Sequence, residues 1–587
     1  MKNYRFNPQP YKKTILSIIR EVESRDDWSD TALRKILPKY PRDGKGIFSR
    51  DQLVIGYRQL VLEKQLGYSQ LVMERIKMKP TRTISGVATV TVLTRPFPCP
   101  GKCIFCPNDV RMPKSYLADE PGAQRAERNA FDPYLQTYNR LQALKNTGHN
   151  TGKVELIVLG GTWSFYPESY QIWFVKRCFD ALTDFGVEDN RSKVTTVNIF
   201  EEAERIPKLT VDGRKRSYNE IVQAVSRGNT KQFFSKSEHA SWEELFAAHR
   251  KNELANSRCV GLVIETRPDY INEKEVIKIR KLGATKVQIG IQHLNDKVLK
   301  LNKRGHGKTE TANAIRLLRL AGFKIHAHWM PNLYGSSVTE DIKDYRRLWK
   351  KAIRPDELKI YPTSVIANTG LFEKFKEGSY KPYSHEELLQ VLTQTMLQTP
   401  RYCRITRVIR DIPSTDIVAG NKLTNFRQIA ELKLKEEHRY CNCIRCREIK
   451  GGKVSKEDIT YDVLRYKSST GTEYFMSFVT KAENKILGFL RLSLPEKELS
   501  KKNFIRELRN AALIREVHVY GQVVNIGNTE SGRAQHLVLG KALVAKAEEL
   551  AAKHYFAKIA VISAVGTREY YKKLGFTKKG MYSLKNI

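Results

Sequence analysis

Cys99, Cys103 and Cys106 lie within eight residues, in the stretch PCPGKCIFCPN of a chain with nine cysteines. Structural zinc sites usually close with four protein ligands, and this C-x-x-x-C-x-x-C spacing offers three thiols and no close fourth. Three thiolates can hold a cubane 4Fe-4S cluster and leave one iron open. The amino and carboxyl groups of S-adenosylmethionine can chelate such an iron, and one electron from the cluster then cleaves the carbon-sulfur bond.

A second trio, Cys441, Cys443 and Cys446, has C-x-C-x-x-C spacing. Three exposed thiols so close together would oxidise, and no glycine-rich stretch accompanies them, so they are assigned to a zinc ion. His438, Cys403 and water are candidates for its fourth ligand. Cys178, Cys259 and Cys403 are scattered. The pattern as a whole is wrong for a disulfide framework.

The elements that must position these residues follow from apolar periodicity. Residues 1–80 have a mostly helical, basic pattern. From 81 to 400 six strand-like runs alternate with amphipathic helices: GVATVTVLT, KVELIVLGGTW, CVGLVIETRPDYI, TKVQIGIQHL, FKIHAHWMPNL and DELKIYPTSVI. Such alternation predicts a complete or partial parallel α/β barrel of the TIM type, with chemistry at the C-terminal strand ends. The polar stretch from about Glu201 to Asn256 interrupts it and is expected to be an insertion or lid. Residues 401–460 carry the second trio as a zinc-binding linker. From 461 to 587 the pattern becomes α+β, with TEYFMSFVT and KILGFLRLSL as a hairpin.

Lys plus Arg number 102 against 63 Asp plus Glu, a formal charge of +39. An excess of this size predicts a polyanionic partner, and nucleic acid suits it because phosphate neutralisation releases counterions. No run of eighteen apolar residues and no signal-peptide pattern is present. A cytoplasmic location without membrane attachment is therefore expected.

The cysteine spacing after a strand resembles the radical S-adenosylmethionine superfamily. The resemblance places Phe105 near the adenine and the turn Gly160, Gly161 and Thr162 near the methionine amino group. The C-terminal unit resembles the GNAT acetyltransferases, whose Q/R-x-x-G-x-G/A segment binds coenzyme A pyrophosphate at a helix N-terminus. The matching segment is QHLVLGKA, with Gln535, Gly540 and Lys541, and Val538 stands where the first glycine is expected. Tyr570 and Tyr571 fall where such enzymes keep a tyrosine near the thioester sulfur.

With IETRPDY at 264–270, KRGHG at 303–307, LKIYPT at 358–363, RDIP at 410–413 and REVHVYG at 515–521, the chain resembles the Elongator catalytic-subunit family in its stand-alone form. That resemblance implies a tRNA wobble-uridine carboxymethyltransferase, a 5-carboxymethyluridine synthase. A 5′-deoxyadenosyl radical takes hydrogen from the acetyl methyl of acetyl-CoA, the carbon radical adds to uridine C5, and thioester hydrolysis leaves a carboxymethyl group.

It further implies that Cys99, Cys103 and Cys106 ligate the cluster, and that Gly161, Thr162, Glu265 and Gln292 line the S-adenosylmethionine pocket. Lys359 and Tyr361 become candidates for contacting the thioester or the RNA, while Gln535, Gly540, Lys541, Tyr570 and Tyr571 belong to the acetyl-CoA site. The tRNA anticodon stem-loop is expected on basic helices through Lys12, Lys13, Arg20, Arg34 and Lys35. An electron donor protein is a further expected partner, with a monomer or a homodimer as the assembly. Two other readings are a lysine acetyltransferase using the GNAT unit alone, and a tRNA-binding scaffold with weakened acetyl-CoA binding at Val538.

Overall fold

The computed structural model describes residues 6–79, 83, 85–187, 216–227, 238–449, 454–520 and 532–587, with backbone alone at 30, 225–227 and 532–538. The first elements are helices Lys12–Ser24, Asp30–Ile36, Arg50–Leu62 and Gln70–Ile76. In the first of them Ile15, Ile18, Ile19 and Val22 fall on one face and are fully buried, as the 3.6-residue period requires. Ser29 and Ser69 cap the second and fourth helices, accepting hydrogen bonds from the Ala32 and Val72 amides. The four helices have their own apolar cluster, centred on Ile19, Tyr57 and Ile76.

Next come six strands that match the predicted runs: β1 (Ala88–Leu93), β2 (Lys153–Leu159), β3 (Arg258–Thr266), β4 (Lys286–Gln292), β5 (Lys324–Trp329) and β6 (Glu357–Ile360). A short β7 (Val365–Ile366) precedes β8 (Arg404–Val408), and β9 (Ile417–Ala419) pairs with β7. The main sheet runs β1-β2-β3-β4-β5-β6-β8 and is parallel throughout. Residues from every strand of it, from Thr89 and Glu155 through Lys286 and His326 to Lys359 and Thr406, line one cavity. The sheet is therefore curled around a polar lumen, a half-barrel whose edges β1 and β8 do not meet.

The seventh strand lies in the segment that the sequence pattern assigns to the zinc linker. Its sequence, RITRV, has two arginines and a lumen-facing threonine, so the apolar run that marks a buried parallel strand is missing. Of the stretch expected to be an insertion, 201–215 and 228–237 lie outside the described residues, and its last part contributes to the outer layer of the barrel. Helix Trp242–Asn252 packs against Glu168–Asp184 in the outer layer through Leu245 and Ala248.

The C-terminal unit is a sheet ordered β10-β11-β12-β13-β14-β16-β15. Its strands are β10 (Ile459–Lys467), β11 (Gly471–Thr480), β12 (Ile486–Pro495), β13 (Ala512–Val519), β14 (Lys558–Val561), β15 (Thr577–Lys579) and β16 (Tyr582–Asn586). The predicted hairpin is the β11–β12 pair, and Asn484 in its turn takes a left-handed φ of 54°, which asparagine tolerates. Only β13 and β14 run parallel, pairing from Ala512/Ile559 to Ile514/Val561. Beyond that point β13 leaves β14 and continues to Val519 paired with β12 only on its other edge, beside helix Gly532–Lys553.

This unit docks on the N-terminal ends of the barrel strands through buried charges. Arg515 on β13 donates to both carboxylate oxygens of Asp356 at 2.7 Å and to Glu473 at 3.0 Å. Arg491 donates to Glu516 at 2.8 Å, and Lys324 reaches the same carboxylate at 2.5 Å. Among the described residues no helix is long and apolar enough to cross a membrane.

Candidate active site

The cysteine loop leaves the C-terminal end of β1 and is held from three sides. The Asn219 side chain accepts from the Cys99 amide at 2.9 Å and donates to the Cys99 carbonyl at 2.8 Å, a two-bond clamp. The Ile104 amide donates to the Asn302 carbonyl, and the Leu371 amide donates to the Ile104 carbonyl. Cys99, Cys103 and Cys106 all face the cavity, whose volume is about 830 Å³. Among the described residues only Cys441, Cys443 and Cys446 bring three ligand atoms within 4.8 Å of one another. The first trio is thus spread too widely for one ion, and its all-thiol donor set facing an open cavity fits a larger cluster.

Two buried guanidiniums flank one of these thiols. Arg304 Nη1 lies 3.3 Å from Cys103 Sγ and Arg267 Nη1 lies 3.8 Å from it. A hydrogen bond from Cys106, together with these two cations, holds the Cys103 thiol well below its ordinary range. Cys106 is pushed well above it by the same bond and by burial.

At the ends of β2, β3 and β4 the other expected pocket residues meet the cysteines. Gly160 and Gly161 turn with φ of 124° and 56°, and Thr162 Oγ1 comes 3.7 Å from Cys99 Sγ. Glu265 is the last but one residue of β3, where the Tyr116 hydroxyl donates to it at 3.4 Å and His328 Nδ1 lies 3.8 Å away. Gln292 has a left-handed φ of 62° at a break in the β4/β5 register, and its Oε1 is buried without a hydrogen-bond partner. An acceptor held under backbone strain at a strand end marks a ligand-facing position. Lys359 donates to Gln288 Oε1 at 2.5 Å and sits 5.8 Å over the Tyr361 ring. Gly161, Thr162, Glu265, Gln292, Lys359 and Tyr361 all line the same cavity.

Sequence assigns no site role to Arg267, Gln288, His328, Tyr116 or Asn219, and marks Arg304 only as the start of a basic cluster, Arg304 to Lys308, beside a candidate site. The two arginines stand inside IETRPDY and KRGHG, and Gln288 is two positions before a lumen-facing strand residue, so period-two counting from Gln292 reaches it. Asn219 had no such signal, because it approaches from a helix 120 positions away. Its replacement by alanine is expected to leave secondary structure intact while cluster iron is lost several-fold faster to a chelator, as measured by iron release from reconstituted protein.

The residues expected at the acetyl-CoA site lie apart from this cavity. A Cβ at Gly540 would stand 2.7 Å from the Tyr570 hydroxyl, so helix and tyrosine meet closely at that residue. Tyr570 is half-buried and Lys541 exposed. Tyr571 is buried among Leu543, Phe576 and Val561, and burial pushes its hydroxyl far up. The side chains of Gln535 and Val538 lie outside the described residues.

In the second trio Cys443 Sγ and Cys446 Sγ are 3.7 Å apart. Arg427 donates to Cys446 Sγ at 3.4 Å, and Glu431 Oε1 lies 3.8 Å from it. The three thiols are gathered as a metal site requires, and neither Cys403 nor His438 belongs to the group; His438 is exposed. On the N-terminal helices Lys13, Arg20, Arg34 and Lys35 are exposed. Lys12 departs from its expected role in that its ammonium pairs with Glu63 at 2.6 Å, which offsets its charge.

Comparison with known proteins places this geometry in a family. Residues 211–348 match the Radical SAM superfamily and residues 355–436 the Radical_SAM C-terminal domain. The tRNA uridine(34) acetyltransferase of Methanocaldococcus infernus is 36% identical over 527 residues, covering 87% of this chain and 88% of that protein. Elongator complex protein 3 of Danio rerio is 32% identical over 593 residues, covering 98% and 96%. The solved structure of the archaeal Methanocaldococcus infernus Elp3 with an N-terminal deletion superposes with a TM-score of 0.66 at 33% identity, covering 86% of this chain and all of that one. The chain belongs to the radical S-adenosylmethionine family of the tRNA uridine(34) acetyltransferases and Elongator complex protein 3.

Proposed function

We propose that this protein is a transferase that modifies the wobble uridine of tRNA, building 5-carboxymethyluridine from S-adenosylmethionine and acetyl-CoA. The observation that carries the reading is the convergence of Cys99, Cys103, Cys106, Gly161, Thr162, Glu265, Gln292, Lys359 and Tyr361 on one cavity of about 830 Å³. The names of the relatives supply the tRNA uridine, and the family supplies the cluster and S-adenosylmethionine.

When bound, the cluster and S-adenosylmethionine supply a carbon-centred radical that activates the otherwise unreactive acetyl methyl. The chain's own residues do the rest. Cys99, Cys103 and Cys106 would hold the cluster. Gly161 would let the methionine moiety approach the backbone, and Gln292 Oε1 would offer it an acceptor that has no partner among the described residues. The Lys359 ammonium, oriented by Gln288, is placed to donate to a carbonyl or phosphate oxygen in the cavity, with Tyr361 beside it. Positioning of this kind converts a bimolecular encounter into an effectively unimolecular one.

In this reading residues 1–80 hold tRNA through Lys13, Arg20, Arg34 and Lys35. Residues 81–400, extended by β8, carry the radical chemistry. Cys441, Cys443 and Cys446 bind zinc beside the seam between the two large units. Residues 461–587 present acetyl-CoA through Gln535, Gly540, Lys541 and Tyr570, with Tyr571 packing behind them. The uridine must leave its stack for C5 to be reached.

Anaerobic incubation of reconstituted protein with reductant, S-adenosylmethionine, acetyl-CoA and bulk tRNA, followed by nucleoside mass spectrometry, tests the reading. The expected result is 5-carboxymethyluridine from the native protein and none from Cys103→Ala. Acetyl transfer to lysine that persists in Cys103→Ala, with no modified nucleoside from either protein, would overturn it.

A further inference from the structure

Arg304 is 6% exposed, and among the described residues it makes no ion pair with a carboxylate. Its Nη2 donates to the Gly290 carbonyl at 2.6 Å, its Nε to His306 Nε2 at 3.0 Å, and its Nη1 points at Cys103 Sγ from 3.3 Å. His306 is itself buried and held neutral, so it returns no charge. Arg267, also 6% exposed, is different: Asp269 binds its Nε at 3.0 Å and its Nη2 at 2.8 Å, which leaves Nη1 for Cys103 at 3.8 Å.

Three glycines clear room for these two side chains. A Cβ at Gly101 would stand 2.3 Å from Arg267 Nη1, and one at Gly305 3.2 Å from its Nη2. A Cβ at Gly290 would stand 2.8 Å from Arg304 Nη2. Both guanidiniums are therefore built into the loop and the strand. A buried cation without a counter-ion is costly, and the nearest group able to compensate Arg304 is the cysteine trio.

We infer that Arg304, seconded by Arg267, acts as a positioning residue that sets the reduction potential of the cluster held by Cys103. Each thiolate brings a negative charge, and one-electron reduction by a low-potential donor adds another to the cluster. A desolvated guanidinium hydrogen-bonded to a ligand sulfur stabilises the added electron more than the starting state, and so raises the potential. Arg304 is the larger contributor because it is closer and its charge is not already offset, whereas Asp269 neutralises Arg267. This inference rests on the cluster reading of the three cysteines.

The test is a redox titration of the full-length reconstituted protein without S-adenosylmethionine, using dithionite and mediators and following the reduced cluster by electron paramagnetic resonance. Arg304→Gln, matched to the native protein in iron and sulfide content, is expected to lower the reduced-to-oxidised ratio at a fixed poise about tenfold, which is a downward shift of about 59 mV for a one-electron couple. Arg304→Lys is expected to recover part of the shift, and Arg267→Gln to show a smaller one in the same direction. Should Arg304→Gln not retain iron, Gly290→Ala, which displaces Arg304 Nη2 and keeps its charge, and Arg267→Gln must still lower the potential.

Unchanged or raised potentials in the variants that hold a full cluster would overturn the inference. If such variants instead bind S-adenosylmethionine more weakly, the guanidiniums belong to its carboxylate. A native protein that takes up no iron and gives no signal would fail the cluster reading itself, a distinct outcome.

Discussion

Replacing Arg515 by methionine is expected to destabilise the protein by about 3–5 kcal/mol, the usual cost of removing one partner of a buried ion pair. The Arg515 and Asp356 side chains are both fully buried and joined by two bonds of 2.7 Å, with Glu473 on the remaining edge. Without the guanidinium, among the described residues Asp356 keeps only Arg491 at 3.6 Å as an ion-pair partner, and Glu473 only Arg319 at 4.0 Å. Chemical denaturation of the apoprotein checks this, with Lys553→Met as the control. The Lys553–Glu549 pair is largely exposed, so its loss is expected to change stability by at most about 1 kcal/mol.

The pH dependence has a defined sign. The Asp356 carboxyl resists burial only because Arg515 and Arg491 hold it well below its ordinary value of 3.8. A depressed carboxylate contributes stability above its unfolded value and loses it as pH falls through the folded value. The contribution of Asp356 to the stability of the native protein is therefore expected to be flat from pH 8 to about pH 5 and to fall away below about pH 4, as followed by chemical denaturation.

Gly160→Ala is expected to weaken S-adenosylmethionine binding by more than about a hundredfold, or nearly 3 kcal/mol, while leaving the C-terminal unit folded. Gly160 has a φ of 124°, and a Cβ there would stand 2.1 Å from Thr94 Oγ1 and 3.1 Å from the Thr94 backbone nitrogen. Thr94 is fully buried, its amide donates to the Leu159 carbonyl at 2.9 Å, and its hydroxyl meets that of Tyr166 at 2.8 Å. Relief of the clash must shift the end of β1, from which the cysteine loop departs. Equilibrium dialysis with reconstituted protein measures the effect. Gly378→Ala separates strain from site geometry: Gly378 has a φ of 75° with nothing within 4 Å, so about 1–2 kcal/mol of local strain should leave binding unchanged.

Much of the fold was legible because parallel strands buried on one face carry apolar runs bounded by turn residues. All six strands expected between 81 and 400 are present. Among the strands that escaped, β8 and β10 are interrupted by polar or charged residues, as in RITRV and ITYDVLRYK. One faces the lumen, and the other is an edge with a half-exposed pattern.

In the site, residues adjacent in sequence were legible and residues brought together by packing were not. The cysteine spacings and the Gly160–Gly161 turn are local features, set by spacing along one loop or turn. Glu265, Gln292, Lys359 and Tyr361 came from the family resemblance, and periodicity supplied only the strands near whose ends they stand. What the polar atoms of one element meet on another is set by three-dimensional packing, and that decided the rest: the Asn219 clamp on Cys99, the aim of Arg304 at Cys103, the pairing of Lys12 with Glu63 and the burial of Tyr571. The sequence by itself thus determined the donor set and the strands that carry it. Only the tertiary structure decided which charges are compensated, because burial and counter-ion distance have no signature in the order of residues.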